Sequence, residues 1–287
     1  MAGATQGYPG VISTMTDRYA VIGHPIAHSK SPDIHSAFAA QTDQDIEYEA
    51  IEAPLDGFKN TVSALVAKGY KGVNVTVPFK FEAFQLANQL RMQAKQAGAV
   101  NTLLFSDGSI IGDNTDGIGL VRDIEQNLHK PILSQRVLIL GAGGAAEGVL
   151  HPILNAAPSQ LVIANRSVSK AVTMIDKVKN LVQYRSIVFG ACTFTELKGQ
   201  KFDIIINATS VGLQDARLPI PDDIFADGSL AYDMMYGKDT PFMKQAREAG
   251  AIVVDGLGML VEQAAEAFYC WRNVRPQTKP IIDKLRA

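Results

Sequence analysis

Residues 136–146 read Arg136-Val-Leu-Ile-Leu-Gly-Ala-Gly-Gly-Ala-Ala146, an apolar run that breaks into glycines. Four consecutive Val, Leu and Ile residues with no polar alternation predict a strand buried on both faces. The turn after it matches G-x-G-x-x-A at Gly141, Gly143 and Ala146, and a helical pattern follows. Between a strand and a helix each small residue has a mechanical reason. The first glycine allows the tight turn, and the second lets backbone N–H groups approach a pyrophosphate. The third small residue lets helix and strand pack closely. Gly141, Ala142, Gly143, Gly144 and Ala145 are therefore candidate dinucleotide contacts. A tight turn with no ligand is the plain alternative, and the strand–turn–helix setting argues against it.

Beyond that turn, a helix to about residue 155 leads into strand-like runs at 161–164, 186–191, 202–207, 230–233 and 251–254. Helical patterns at 168–181 and 241–249 lie between them. Such alternation predicts a doubly wound, mostly parallel sheet of the Rossmann type. The strand after the glycine turn ends in Asn165-Arg166-Ser167, 165 − 141 = 24 residues past the first glycine, and Lys170 follows. An acid placed about 20 residues on would hold the ribose hydroxyls of NAD. Here two cations stand instead, and the planar fork of Arg166 suits a 2′-phosphate. NADP is the expected cofactor, held by Asn165, Arg166, Ser167 and Lys170.

On the N-terminal side, 19–23 reads as a strand, and Pro32 opens a helix to about Gln41 with Ser31 as its N-cap. Ser29 then has no local duty. A strand at 46–53, a helix at 55–68 and a strand at 72–77 follow, with Val73, Val75 and Val77 alternating against Asn74 and Thr76. That alternation predicts one polar face, and Pro78 should end the strand. Lys80 then lies just past the strand's C-terminal end, where ligands of open α/β sheets collect. Helical sequence over 81–97 precedes a hairpin of 100–105 and 109–112. Asp116 in Asn114-Thr115-Asp116-Gly117 opens the next helix and could merely cap it. Lys80 and Asp116 are both expected to face the junction of the two halves. A lysine beside a carboxylate is a workable proton donor to a carbonyl under reduction. The apolar helix at 260–271 should pack back on the first half.

The fold class expected is α/β in two domains: an N-terminal, mostly parallel substrate domain and a Rossmann-type dinucleotide domain. Residues 18–115, completed by helices in 258–287, form the first, and 116–257 the second. Residues 1–17 read as a disordered extension, with Met15 an alternative start. With 287 residues, 47% hydrophobic and 20% charged, the chain can build both cores. A net charge of −2 gives no electrostatic case for nucleic acid or an anionic membrane. No signal peptide or membrane span is read. Cys192 and Cys270 lack metal or disulfide spacing, which fits a reducing, cytoplasmic setting and no metal. His24 and His28 read as structural, and Met234, Met235 and Met259 as packing.

From Tyr19 to Ile282 the chain resembles the shikimate dehydrogenase family. The likeness rests on HSKSP (28–32), NVTVPFK (74–80), GAVNT (98–102), GDNTDG (112–117) and GAGGA (141–145). NRS (165–167), NATSVG (207–212), YDMMY (232–236) and DGLGMLVEQA (255–264) continue it in order. The resemblance implies NADP-linked interconversion of shikimate and 3-dehydroshikimate, on the route to chorismate and aromatic amino acids, by a monomer or homodimer. It implies that Ser29 and Ser31 hold the substrate carboxylate, that Thr76 and Lys80 lie at the ring with Lys80 as acid/base, and that Asn101 and Asp116 bind ring hydroxyls. Tyr236 and Gln263 look like further substrate contacts. Ala142 to Ala145, Asn165, Arg166, Lys170, Met234 and Gly256 match nucleotide positions. Lys170 replaces a frequent arginine, and Met92 stands where some members carry an acid. The alternatives are a quinate/shikimate dehydrogenase, another NADP-dependent reductase on this plan, and a non-catalytic NADP-sensing regulator.

Overall fold

The computed structural model describes residues 16–209 and 217–287. The expected extension up to Met15, and the 210–212 end of NATSVG, lie outside the described residues. The first half runs β1 (Asp17–Gly23), α1 (Ser31–Gln41), β2 (Ile46–Glu52), α2 (Phe58–Ala67), β3 (Gly72–Val75), α3 (Lys80–Leu86), β4 (Gln89–Leu90), α4 (Met92–Ala97), β5 (Thr102–Ser106) and β6 (Ser109–Asp113). Its strands order as β2-β1-β3-β5-β6-β4. The β2, β1 and β3 strands are parallel, while β5 pairs antiparallel with both β3 and β6.

Three local readings change. Strand β3 stops at Val75 and is buried throughout, because it lies between β1 and β5 with cover on both faces. Asn74 is thus interior and needs partners, and Val77, beyond the strand, is 68% exposed. The helical stretch at 81–97 splits around β4, which pairs with β6, and Asn88 Oδ1 accepts the Ile110 N–H at 2.9 Å. Ser31 does not cap α1. It is already helical and buried, and Ser29 Oγ accepts the Ser31 N–H at 3.3 Å, so the local duty belongs to Ser29.

The second half contains α5 (Asp116–Arg122), which widens into a π-helical turn at Asp123–Asn127, then β7 (Arg136–Leu140), α6 (Gly144–Asn155), β8 (Gln160–Ala164), α7 (Val168–Val178) and β9 (Val188–Cys192). It continues with β10 (Phe202–Asn207), β11 (Phe225–Asp233), α8 (Pro241–Glu248) and β12 (Ile252–Val254). All of these strands are parallel, in the order β12-β11-β10-β7-β8-β9. This is the doubly wound Rossmann sheet, with its switch of direction between β7 and β10. Val137 to Leu140 are fully buried, as a central strand requires. Helix α9 (Leu257–Arg272) then returns to the first sheet. Its Val261, Ala264, Ala265 and Phe268 pack with Ile34 and Phe38 of α1 and with Ile281 and Ile282 of α10 (Lys279–Arg286).

Helices α5 and α9 join the halves around two buried carboxylates. Asp123 Oδ2 accepts the Tyr232 hydroxyl at 2.7 Å, and Tyr232 Oη accepts the Met259 N–H at 3.2 Å. Burial raises the Asp123 carboxyl, opposed by the hydrogen bonds from the Tyr232 hydroxyl and from Asn127 Nδ2. Glu262 is held by Arg122 Nε at 3.0 Å and by Asn127 Nδ2 at 2.9 Å. The α5–α9 crossing is close enough that a Cβ on Gly119 would meet the backbone nitrogen of Gln263 at 2.7 Å. Gly119→Ala should therefore destabilise the protein by ~1–3 kcal/mol, read as a lower urea midpoint. An unchanged midpoint would mean that α9 gives way at no cost.

Candidate active site

A cleft of about 1390 Å³ opens where the C-terminal end of β3 faces the start of α6 and the residues that follow β10 and β11. Its wall includes Ser29, Ser31, Thr76, Lys80, Asn101, Asp116, Tyr236 and Gln263, the full set expected to meet a substrate. They come from six separate stretches of chain. Lys80 is the first residue of α3, and its carbonyl accepts the Val100 N–H at 2.9 Å, which ties the helix start to the loop that leads into β5. Lys80 therefore does open a helix, yet its side chain crosses the cleft. Nζ lies 2.6 Å from Asp116 Oδ2, with the two side chains 32% and 19% exposed.

The other carboxylate oxygen, Asp116 Oδ1, accepts from Asn101 Nδ2 at 2.9 Å. The same Nδ2 lies 3.0 Å from Thr115 Oγ1 and 3.3 Å from Gln263 Oε1, which brings α9 to the site. Asn114 Oδ1 accepts the Asp116 N–H at 3.1 Å, so Asp116 is positioned by its neighbour while its own side chain stays free for the cleft. Burial raises the Tyr236 phenol, which keeps it a neutral hydroxyl. His24 Nδ1 contacts the Ala53 carbonyl at 3.1 Å, a loop fastening, whereas His28 lines the cleft.

The cofactor half is a cradle. Gly141 has φ +105°, a conformation that favours glycine, and a Cβ there would crowd Thr209 and Ala208 of the neighbouring β10 end. A Cβ on Gly143 or Gly144 would meet nothing within 4 Å, so open space lies before this loop and the N-terminus of the twelve-residue α6. That space suits a pyrophosphate. Gly144, Ala145, Met234 and Gly256 reach the cleft wall itself. The Gly141 N–H donates to the Ala164 carbonyl at 2.8 Å, which sets the glycine turn beside the end of β8. Asn165, Arg166, Ser167 and Lys170 gather there, outside the cleft wall, with Arg166 and Lys170 exposed and Asn165 Nδ2 donating to the Ser167 carbonyl at 2.9 Å. The residues present fit a dinucleotide carrying an extra phosphate.

Sequence reasoning missed several wall residues. Asn74 and Asn114 line the cleft, as does an ion pair of Lys177 with Glu147 at 2.6 Å. The N-V-T-V alternation puts Asn74 on a polar strand face without tying it to the cleft, and nothing local joins Glu147 of α6 to Lys177 of α7. Among the described residues, no helix is long and apolar enough to cross a membrane, and no His, Cys, Asp and Glu cluster could hold a metal.

Comparisons with known proteins bear on this geometry. Residues 21–103 match the shikimate dehydrogenase substrate binding domain, 123–214 the shikimate/quinate 5-dehydrogenase model, and 256–286 the shikimate 5'-dehydrogenase C-terminal domain. Shikimate dehydrogenase (NADP(+)) of Methylobacillus flagellatus is 61% identical over 94% of this chain and 99% of its own. The crystal structure of an Ael1 enzyme from Pseudomonas putida superposes with TM-score 0.88 at 49% identity, covering 94% and 98% of the two chains. Shikimate 5-dehydrogenase of Thermus thermophilus, solved with NADP(H) and shikimate, gives 0.81 at 29% identity over 94% and 98%. With near-complete coverage and identity well above any fold-only likeness, the chain belongs to the NADP-dependent shikimate dehydrogenases.

Proposed function

We propose that the cleft carries out the reversible NADP-linked reduction of 3-dehydroshikimate to shikimate, with Lys80 as general acid/base and Asp116 as its partner. The observation that carries this reading is the 2.6 Å contact between Lys80 and Asp116 in a cleft walled by hydroxyls and amides. A small carboxylate bearing three hydroxyls needs short polar partners, and this wall supplies them. Ser29 and Ser31 offer hydroxyl donors to the substrate carboxylate. Asn101, Asp116 and Gln263 face the ring hydroxyls.

The nicotinamide, when bound, supplies the hydride or takes it back. The chain does the rest. Lys80 delivers a proton to the carbonyl oxygen as it becomes an alkoxide and removes it in the reverse direction. Asp116 holds the ammonium in line and accepts a ring hydroxyl. Lys80 is open enough to recover its proton from water. Gly141 to Ala145 would cradle the pyrophosphate, Arg166 and Lys170 would meet the 2′-phosphate, and Met234 and Gly256 would hold another part of the nucleotide. Residues 18–115 with 258–287 form the substrate domain and 116–257 the cofactor domain. A cytoplasmic location follows from the biosynthetic role and unpaired cysteines, and a monomer or homodimer suffices because one chain walls the whole cleft.

Absorbance at the nicotinamide band, with shikimate and each cofactor in turn, tests this reading. Turnover should be clear with NADP and weak with NAD. Equal rates on quinate would move the assignment to a quinate/shikimate dehydrogenase, and no turnover on either acid would end it. Arg166→Ala should raise KM for NADP by ~10–100-fold, the range of one charge-assisted contact, and leave KM for NAD nearly unchanged. A loss shared equally by both cofactors would take Arg166 off the 2′-phosphate.

A further inference from the structure

We infer that Tyr48, on β2 and behind the cleft wall, is a positioning residue that fixes which way the substrate-binding amides point. This rests on the site proposed above. Tyr48 touches neither Lys80 nor Asp116, and it acts through a chain of hydrogen bonds whose direction can be read atom by atom.

The Tyr48 hydroxyl has one proton and gives it to Asn74 Oδ1 at 2.8 Å. Asn74 must then turn its Nδ2 towards Thr102 Oγ1 at 3.1 Å and the Asn101 carbonyl at 3.3 Å. With its oxygen occupied as an acceptor, Thr102 directs its own proton to Asn101 Oδ1 at 2.9 Å. The Thr115 N–H donates to the same oxygen at 2.9 Å. Only Nδ2 of Asn101 is left to face Asp116, and it donates to Oδ1. Asn74, Asn101 and Thr102 are all buried, so losing a partner leaves a poorly solvated polar group. The phenol sets the Asn74 amide from one side, and the Asn101 carbonyl and the Thr115 N–H, each able to play only one role, agree with the direction it sets.

The opposite side of the same hydroxyl meets the Ser31 side chain, and burial keeps the phenol protonated by raising it well above its ordinary range. Tyr48 therefore joins the serine proposed for the carboxylate to the amides proposed for the ring. Its ring is seated independently of the hydroxyl, stacked on His35 with centroids 4.1 Å apart and planes 5° from parallel. Removing the oxygen alone should leave that stack standing.

Tyr48→Phe is the test, with thermal unfolding run alongside to establish that the variant folds. KM for shikimate should rise by roughly 5–50-fold, the loss of about two hydrogen bonds, while KM for NADP stays within twofold. Combined with Ser31→Ala, the effects should be less than multiplicative, because both remove the same junction. Thr102→Val, which breaks the series in its middle, should show the same split between the two substrates and guards against a poorly folded Tyr48→Phe. A merely structural role would move both KM values and the melting temperature together, and that result would overturn the inference. So would a Tyr48→Phe enzyme with shikimate KM unchanged. Because the variant must still turn over shikimate, either outcome is distinct from a wild type with no activity on shikimate, which would overturn the proposed function instead.

Discussion

Lys80→Ala should lower shikimate turnover by about 10²–10⁴-fold and leave NADP binding intact. The size follows from what is lost. Without a proton donor the alkoxide would form as a free anion or be protonated by water, and general acid catalysis of this kind lowers the barrier by ~3–5 kcal/mol. The rest of the rate enhancement survives, because Ser29, Ser31, Asn101, Asp116 and Gln263 still wall the cleft and orient the ring. Asp116 keeps its Asn101 donor at 2.9 Å and its place at the start of α5, so the carboxylate is not stranded. Cofactor binding should persist because the glycine turn and Arg166 lie on the other sheet. Steady-state absorbance gives the rate, and quenching of protein fluorescence by NADPH gives the binding. A variant within a few-fold of wild type would remove Lys80 from the chemistry. One that no longer binds NADPH would assign it a different task.

The Rossmann half was legible because its signals are local. An apolar strand, a glycine turn and a helix follow each other without a gap from Arg136 to Asn155, and the structure has all three there. The first half was harder, since its sheet mixes parallel and antiparallel neighbours. Strand β3 shows why. Alternation of Val with Asn and Thr ordinarily signals a solvent face, yet here both faces are covered and Asn74 is satisfied by Tyr48 and Thr102. Tertiary pairing set the environment, and only hydrogen bonds to distant residues made it tolerable. The same holds for β4, whose two residues carry no pattern and exist because β6 offers an edge.

For the candidate site, the wall residues and the facing of Lys80 and Asp116 were expected from the motifs, while the distances and the hydrogen bonds that hold them were not. Lys80 and Asp116 are 36 residues apart, and neither local stretch says that they meet. Lys80 looks like any lysine opening a helix, and Asp116 looks like any cap. What the sequence lacked was the closure of the two sheets on one another through α5 and α9. That closure depends on Gly119, Asp123 and Glu262, none of which carries a sequence signal of its own.

Stability should fall with acid below about pH 6.5, and His35→Phe should flatten much of that fall. His35 sits on α1 with no exposed surface, stacked on Tyr48 and edged by Phe38, with Phe268 and Trp271 around it. Burial in this aromatic nest lowers the imidazole to about 3. An unfolded chain titrates it near 6.5. Between those values the unfolded state takes up a proton that the folded state refuses, so stability rises with pH across the window and is complete above it. The slope from one such group is ~1.4 kcal/mol per pH unit, or about 2 kcal/mol between pH 6.5 and pH 5. Phenylalanine keeps the ring and its stacking without the titration. His151 is also lowered by burial, against the opposing charge of Glu147, and its contribution of the same sign remains in both proteins. Urea midpoints at pH 7.5 and pH 5 should therefore drop further for wild type than for His35→Phe. Parallel losses in the two would show that the histidine is able to take its proton inside the fold, and that the nest around α1 opens more readily than its packing implies.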